Sequence, residues 1–133
     1  MSELAHSPIS KPAVLVVEDE GEVCSLIADM LEAEGFQPHC VNSDQEAFEA
    51  LRHQRPYGCM IVDVNLGVGA TGYDVARFAR TIDPALPVIF VSGQTTAESL
   101  RANGVPGSLF VPKPFSAADL LDQVYRLLGD NDD

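Results

Sequence analysis

Ala13-Val14-Leu15-Val16-Val17-Glu18-Asp19-Glu20 is the stretch on which the fold turns: five apolar residues in a row that stop abruptly at three acids. An apolar run without alternation marks a strand covered on both faces, as in a parallel sheet. The period changes directly after it. Val23, Leu26, Ile27, Met30 and Leu31 fall three and four apart, with Asp29, Glu32 and Glu34 between them. That spacing predicts an amphipathic helix with those apolar residues inward, stopped by Gly35.

The alternation continues down the chain. Phe36 to Val41 reads as a short strand, and Pro38 inside it places it at a sheet edge. Ser43 or Asp44 caps a helix to about Gln54, with Ala47, Ala50 and Leu51 inward. Tyr57 to Val62 is a second buried-type strand, ended by Asp63, and a loop through Gly67, Gly69 and Gly72 follows. A helix from Tyr73 to Ile82 turns Val75, Phe78, Ala79 and Ile82 inward and breaks at Asp83-Pro84. Pro87 to Val91 is a strand ending in Ser92-Gly93. A weak helix over about Thr95 to Ala102 has only Ala97 and Leu100 as apolar anchors. Leu109-Phe110-Val111 runs into Pro112-Lys113-Pro114-Phe115, and Ser116 caps a last helix with Ala117, Leu120, Leu121, Val124 and Leu128 inward. Five strands alternating with five helices require crossover connections, hence an α/β fold with a parallel sheet covered on both sides. Residues 1–12 read as a loose tail, 13–128 as the domain and 129–133 as an acidic tail.

Composition narrows the function classes. The 133 residues carry 8 Lys and Arg against 20 Asp and Glu, a formal charge of −12. Such a surface repels nucleic acid and anionic lipid, so direct binding to either is not expected. No apolar run approaches the roughly 18 residues of a membrane helix. Met1 to Pro12 does not resemble a signal peptide, which predicts a cytoplasmic protein. Cys24, Cys40 and Cys59 form an odd, widely spaced set that reads as small buried thiols rather than as a disulfide framework or a zinc site. His6, His39 and His53 are scattered and predict no metal cluster, and Arg52, Arg55, Arg77 and Arg80 read as solvated helix faces.

Ligands of an open parallel sheet collect at the carboxyl ends of its strands. There the first strand delivers Glu18 and Asp19, the third Asp63, the fourth Ser92 and the fifth Lys113. The ordered segments Val14–Glu20, Met60–Leu66, Val88–Gly93 and Phe110–Phe115 resemble those of a receiver domain of two-component signalling, over residues 13 to 128. The likeness is to a stand-alone response regulator related to the chemotaxis receiver. It implies a flavodoxin-like, doubly wound (βα)5 sandwich with strand order 2-1-3-4-5. It implies that Asp63 accepts a phosphoryl group from a histidine kinase or histidine phosphotransfer protein. Glu18, Asp19, Asp63 and the backbone carbonyl of Asn65 would hold Mg²⁺. Ser92 would be the switch hydroxyl, Phe110 the aromatic rotamer switch and Lys113 the phosphate-facing lysine. Output would pass by contact with a downstream protein, from a monomer or a weak phosphorylation-dependent dimer, without separate substrate turnover.

Two features depart from the family pattern. Gly67 stands where a proline is usual, and the loop to Gly72 is about one residue longer. Gln94, two residues past Ser92, is a candidate with Asn65 for orienting a hydrolytic water. The alternative is a phosphatase of the haloacid-dehalogenase type, which also uses an aspartyl phosphate. That class wants an Asp two residues after the nucleophile, where this chain has Asn65. A nucleotide-binding domain would need a glycine fingerprint where Glu18-Asp19-Glu20 stands.

Overall fold

The computed structural model describes residues 11–53, 56–94 and 97–129. Its elements are β1 (Ala13–Val17), α1 (Gly21–Ala33), β2 (Gln37–Val41), α2 (Asp44–His53), β3 (Cys59–Asp63), α3 (Gly72–Ile82), β4 (Val88–Ser92), α4 (Ala97–Asn103), β5 (Leu109–Pro112) and α5 (Ala117–Leu128). The strands form one sheet in the order β2-β1-β3-β4-β5, and every neighbouring pair is parallel. This is the doubly wound, flavodoxin-like arrangement expected.

The pleat explains the unbroken apolar runs. Val14 and Val16 point to one side and meet Cys24, Ile27 and Leu31 of α1 and Leu120 and Val124 of α5. Leu15 and Val17 point to the other and meet Ala47, Ala50 and Leu51 of α2 and Val75, Ala76 and Ala79 of α3. A strand with helices on both faces has no solvent side on which to place polar residues. β2 and β5, at the edges, are the strands that expose part of their length.

Each end of β3 and β4 lies one or more residues further along than the apolar pattern suggested. Asp63 and Ser92 are the last residues of their strands, because Asp63 pairs with Val91 and Ser92 with Pro112 in the ladder. α5 starts as expected, with Ser116 and Asp119 forming a reciprocal capping box, and Thr71 and Asp74 do the same for α3. The predicted helix ends at Gln54 and Thr95 fall outside the described residues.

Four expectations need correction. Leu26 is 53% exposed and Ile82 49% exposed, not inward. The buried line of α1 is Cys24, Ile27 and Leu31, and Leu26 sits a residue off that stripe. Ile82 is the last residue of α3. Ala117, in the first turn of α5, is exposed because burial begins only at Leu120. Finally, Cys24 and Cys40 are joined as a disulfide, with Cα atoms 6.0 Å apart, while Cys59 is free and buried. The cysteines are 16 apart in sequence, but α1 packs back over β2 and brings them together. Spacing alone does not report such a contact.

Lys11 fastens the start of the described chain to α5. Its Nζ donates to Tyr125 Oη at 2.8 Å and lies 4.9 Å from the Tyr125 ring centre, and the same hydroxyl donates to Glu34 at 2.7 Å.

Candidate functional site

Parallel strands end on a common rim, and the rim carries a cavity of about 290 Å³. Asp19, Asp63, Asn65, Ser92 and Lys113 line it, so four strand ends contribute to one wall. Glu20, Gly67 and Gln94 complete its mouth. Glu18 lies underneath, fully buried.

Charge is concentrated here. Carboxylate oxygens of Glu18, Asp19 and Asp63 all lie within 4.8 Å of one another. Lys113 Nζ faces them, 2.9 Å from Glu18 Oε1 and 3.1 Å from Asp63 Oδ2, with Glu20 Oε1 at 3.8 Å. Lys113 is placed by the strand ladder, its backbone N–H donating to the Ser92 carbonyl at 2.9 Å. Asp63 Oδ1 accepts from the Asn65 backbone N–H at 3.1 Å, leaving its carboxylate tied on two sides.

One lysine cannot neutralise this group. Glu18 Oε2 accepts from the Glu20 N–H at 3.3 Å, and the buried Oε1 has the shared Lys113 ammonium as its one partner among the described residues. Burial pushes the Glu18 carboxyl up from 4.5 to about 7, with the neighbouring Asp63 adding to the effect and Lys113 opposing it. Lys113 is pulled down by its own burial, yet its ion pairs with Glu18 and Asp63 leave it above its ordinary value. A buried, under-neutralised oxygen cluster is the donor set a hard divalent cation takes, so these residues fit Mg²⁺.

The Glu18 shift has a measurable consequence. Between pH 4.5 and about 7 the folded protein keeps a proton on Glu18 that the unfolded chain has released. The contribution of Glu18 to metal-free stability therefore falls as pH rises through that window, then levels off. Urea midpoints in EDTA should show this slope in the wild type relative to Glu18→Gln. Parallel midpoints for the two proteins would rule it out.

The other expected residues divide. Ser92 is 4% exposed, at the cavity wall, and its Oγ accepts from the Gln94 N–H at 3.1 Å. Asn65 spends its side chain on the loop, Oδ1 accepting from the Gly67 N–H at 3.2 Å. Phe110 lies outside the cavity, half-buried beside Phe90 in the sheet and against a groove of α5 near Asp122. Gly67 adopts φ +83°, a value closed to proline, so this loop follows a path of its own. Asp44, from the start of α2, holds that loop by accepting from the Ala70 N–H at 2.9 Å.

Sequence reasoning missed three contributors. Gly72 presses on the back of the acidic residue: a Cβ there would stand 2.1 Å from the Asp63 carbonyl oxygen. Tyr73, read only as the start of a helix, and Arg77, read as a solvated position, reach across to α4. Tyr73 Oη lies 3.2 Å from Ser99 Oγ, and Arg77 donates to the Asn103 carbonyl at 2.7 Å. A tyrosine at the start of an amphipathic helix gives no hint in sequence of where its hydroxyl will land.

Known proteins agree with the geometry. A receiver protein from Sinorhizobium medicae, of known crystal structure, superposes with a TM-score of 0.83 at 32% identity, over 89% of this chain and 94% of that one. MtrA of Mycobacterium tuberculosis, named as a DNA-binding response regulator, is 28% identical over 121 residues, 90% of this chain and 52% of MtrA. An NtrX-like response regulator of Rickettsia felis is 31% identical over 110 residues, covering 81% of this chain and 23% of that protein. The chain thus spans about half the length of the first of these curated relatives and about a quarter of the second. The phosphatase alternative gains nothing from these likenesses, and Asn65 is engaged in the loop. No helix among the described residues is long and apolar enough to cross a membrane. The model of the response regulator receiver domain matches residues 14–125, and the chain belongs to that family of two-component signalling domains.

Proposed function

We propose that the chain is a phosphoacceptor of two-component signalling, taking a phosphoryl group onto Asp63 from a histidine kinase or histidine phosphotransfer protein in the cytoplasm. The observation that carries this reading is Asp63 itself. Its nearly buried carboxylate opens into the cavity, paired with Lys113 and set among Glu18 and Asp19. Glu18, Asp19 and Asp63, with the Asn65 carbonyl, are the groups that would hold Mg²⁺. The bound ion supplies positive charge that screens the carboxylates from an incoming phosphate.

The chain's own residues account for the rest. Asp63 attacks phosphorus as the P–N bond of the donor phosphohistidine breaks. The imidazole leaves with the electron pair and takes a proton from solvent, and an acyl phosphate remains. Lys113 meets the phosphoryl oxygens with a compact charge. The modified residue carries roughly −1.5 to −2 charges and new acceptor oxygens. Ser92, on the same wall, answers by turning its hydroxyl toward them. Phe110, one strand further out, turns into the space released. The changed surface of α4, β5 and α5 is then read by a downstream protein, and no separate substrate is turned over.

The test is intact-protein mass spectrometry after incubation with acetyl phosphate. One phosphoryl group should appear with Mg²⁺ and none with EDTA. A chromogenic phosphate ester should show no sustained turnover. Absence of uptake, or many turnovers of the ester, would remove this reading.

A further inference from the structure

α4 has no buried residue, whereas every other helix has at least two. Its Leu100 is only partly buried against the core. An element so thinly anchored by apolar contact owes its position to something else.

Among the described residues, one stripe of α3 supplies polar bonds to it. Residues 73, 77 and 80 follow one another at spacings of four and three, so they share a helix face. Tyr73 Oη meets Ser99 Oγ at 3.2 Å, Arg77 Nη1 donates to the Asn103 carbonyl at 2.7 Å, and Arg80 Nη2 donates to the Pro106 carbonyl just past α4 at 2.9 Å. These are polar bonds, two of them at the surface, that a rigid-body shift of α4 would break.

Tyr73 is distinguished by what lies behind it. Its ring is 7% exposed and packs 5.1 Å from that of Phe90 in β4. The residue before it, Gly72, donates its N–H to the Val64 carbonyl at 2.8 Å and has no room for a Cβ beside the Asp63 carbonyl. One peptide unit therefore separates the backbone at Asp63 from a side chain whose hydroxyl rests on α4. Phe110, the aromatic residue on the other side of Phe90, has no hydroxyl with which to make such a bond.

We propose that Tyr73, assisted by Arg77, is a positioning residue that holds α4 in its resting pose and so opposes the phosphorylated state. The proposal rests on the reading of Asp63 as phosphoacceptor. Bonds made in the resting pose and lost in the other weaken, by the same factor, any ligand that favours the other. Removing one should tighten the binding of a phosphoryl analogue at Asp63, although the substituted atom touches neither ligand nor Asp63 side chain.

The experiment is a titration with beryllofluoride in Mg²⁺, together with amide exchange over residues 97–103, for wild type, Tyr73→Phe, Ser99→Ala and the double variant. Tyr73→Phe keeps the ring against Phe90 and so keeps the fold. Loss of one hydrogen bond should speed exchange in α4 and raise beryllofluoride affinity about fivefold. Adding Ser99→Ala to Tyr73→Phe should raise affinity by less than the two single gains combined, because both variants remove the Tyr73–Ser99 bond. Unchanged affinity overturns the proposal, whether or not exchange in α4 is faster, since a purely structural tether would not move it. A folded wild type that takes up no beryllofluoride removes the phosphoacceptor reading and this proposal with it. A wild type that binds beside variants that bind equally removes the proposal alone.

Discussion

Asp63→Asn should yield a protein that takes up no phosphoryl group and that, without metal, is more stable than the wild type. The first effect follows from the loss of the nucleophilic carboxylate. The second follows from the charge count at the rim. Asp63 faces one charge attraction, Lys113 at 3.1 Å, against repulsion from Asp19 and, in the fraction that is ionised near pH 7, from Glu18, whose oxygens share the 4.8 Å cluster. It also bears the cost of near-complete burial. Asparagine retains an oxygen for the Asn65 N–H and lets Lys113 serve Glu18 alone. The gain should be about 1–2 kcal/mol in EDTA, read from urea midpoints at neutral pH. Saturating Mg²⁺ should reverse the order, because an ion held by three carboxylates binds the folded wild type more tightly than a variant that keeps two, and stabilises it by that difference. A variant less stable than wild type in EDTA would show that Lys113 pairing outweighs the crowding of acids.

The other large effect concerns stability alone. Gly72→Ala places a methyl group 2.1 Å from the Asp63 carbonyl oxygen and 2.8 Å from Val64 Cα. Both neighbours are backbone, so no side chain can swing aside. The start of α3 must move off the end of β3, and the Gly72 N–H to Val64 carbonyl bond goes with it. A loss of about 3 kcal/mol is expected, measured by chemical denaturation. Gly21→Ala is the matched control. Nothing lies within 4 Å of a Cβ there, and the residue opens a helix, so that variant should be neutral or slightly stabilised. Equal midpoints for the two alanine variants would mean that the Asp63–Gly72 contact is slack.

The strands were legible because burial on both faces leaves a run such as Val14–Val17 no polar position, and the residue that ends each run falls at the rim by geometry. For the same reason Asp19, Asp63, Ser92 and Lys113 each follow an apolar run in sequence and line one cavity in the fold. Helix faces were less legible. Leu26 and Ile82 fit the apolar spacing, yet a stripe in sequence is wider than the contact a sheet offers, and both ended outside it. Contacts that join distant segments were not legible at all. Cys24 with Cys40, Asp44 with Ala70 and Tyr73 with Ser99 each depend on how one helix or loop lies over another. Gly72 belongs to that class as well: a glycine in a glycine-rich loop looks dispensable until the carbonyl behind it is seen.

The Lys11–Tyr125 clasp bears on how the molecule can be handled. It brings the first described residues alongside the closing turns of α5, at the end of the sheet away from the strand tips that form the cavity. A fluorophore, affinity handle or surface linker attached near residue 11 or residue 129 would leave the acidic mouth open to approach. Immobilised protein should therefore accept visiting macromolecules in the same orientation as free protein does.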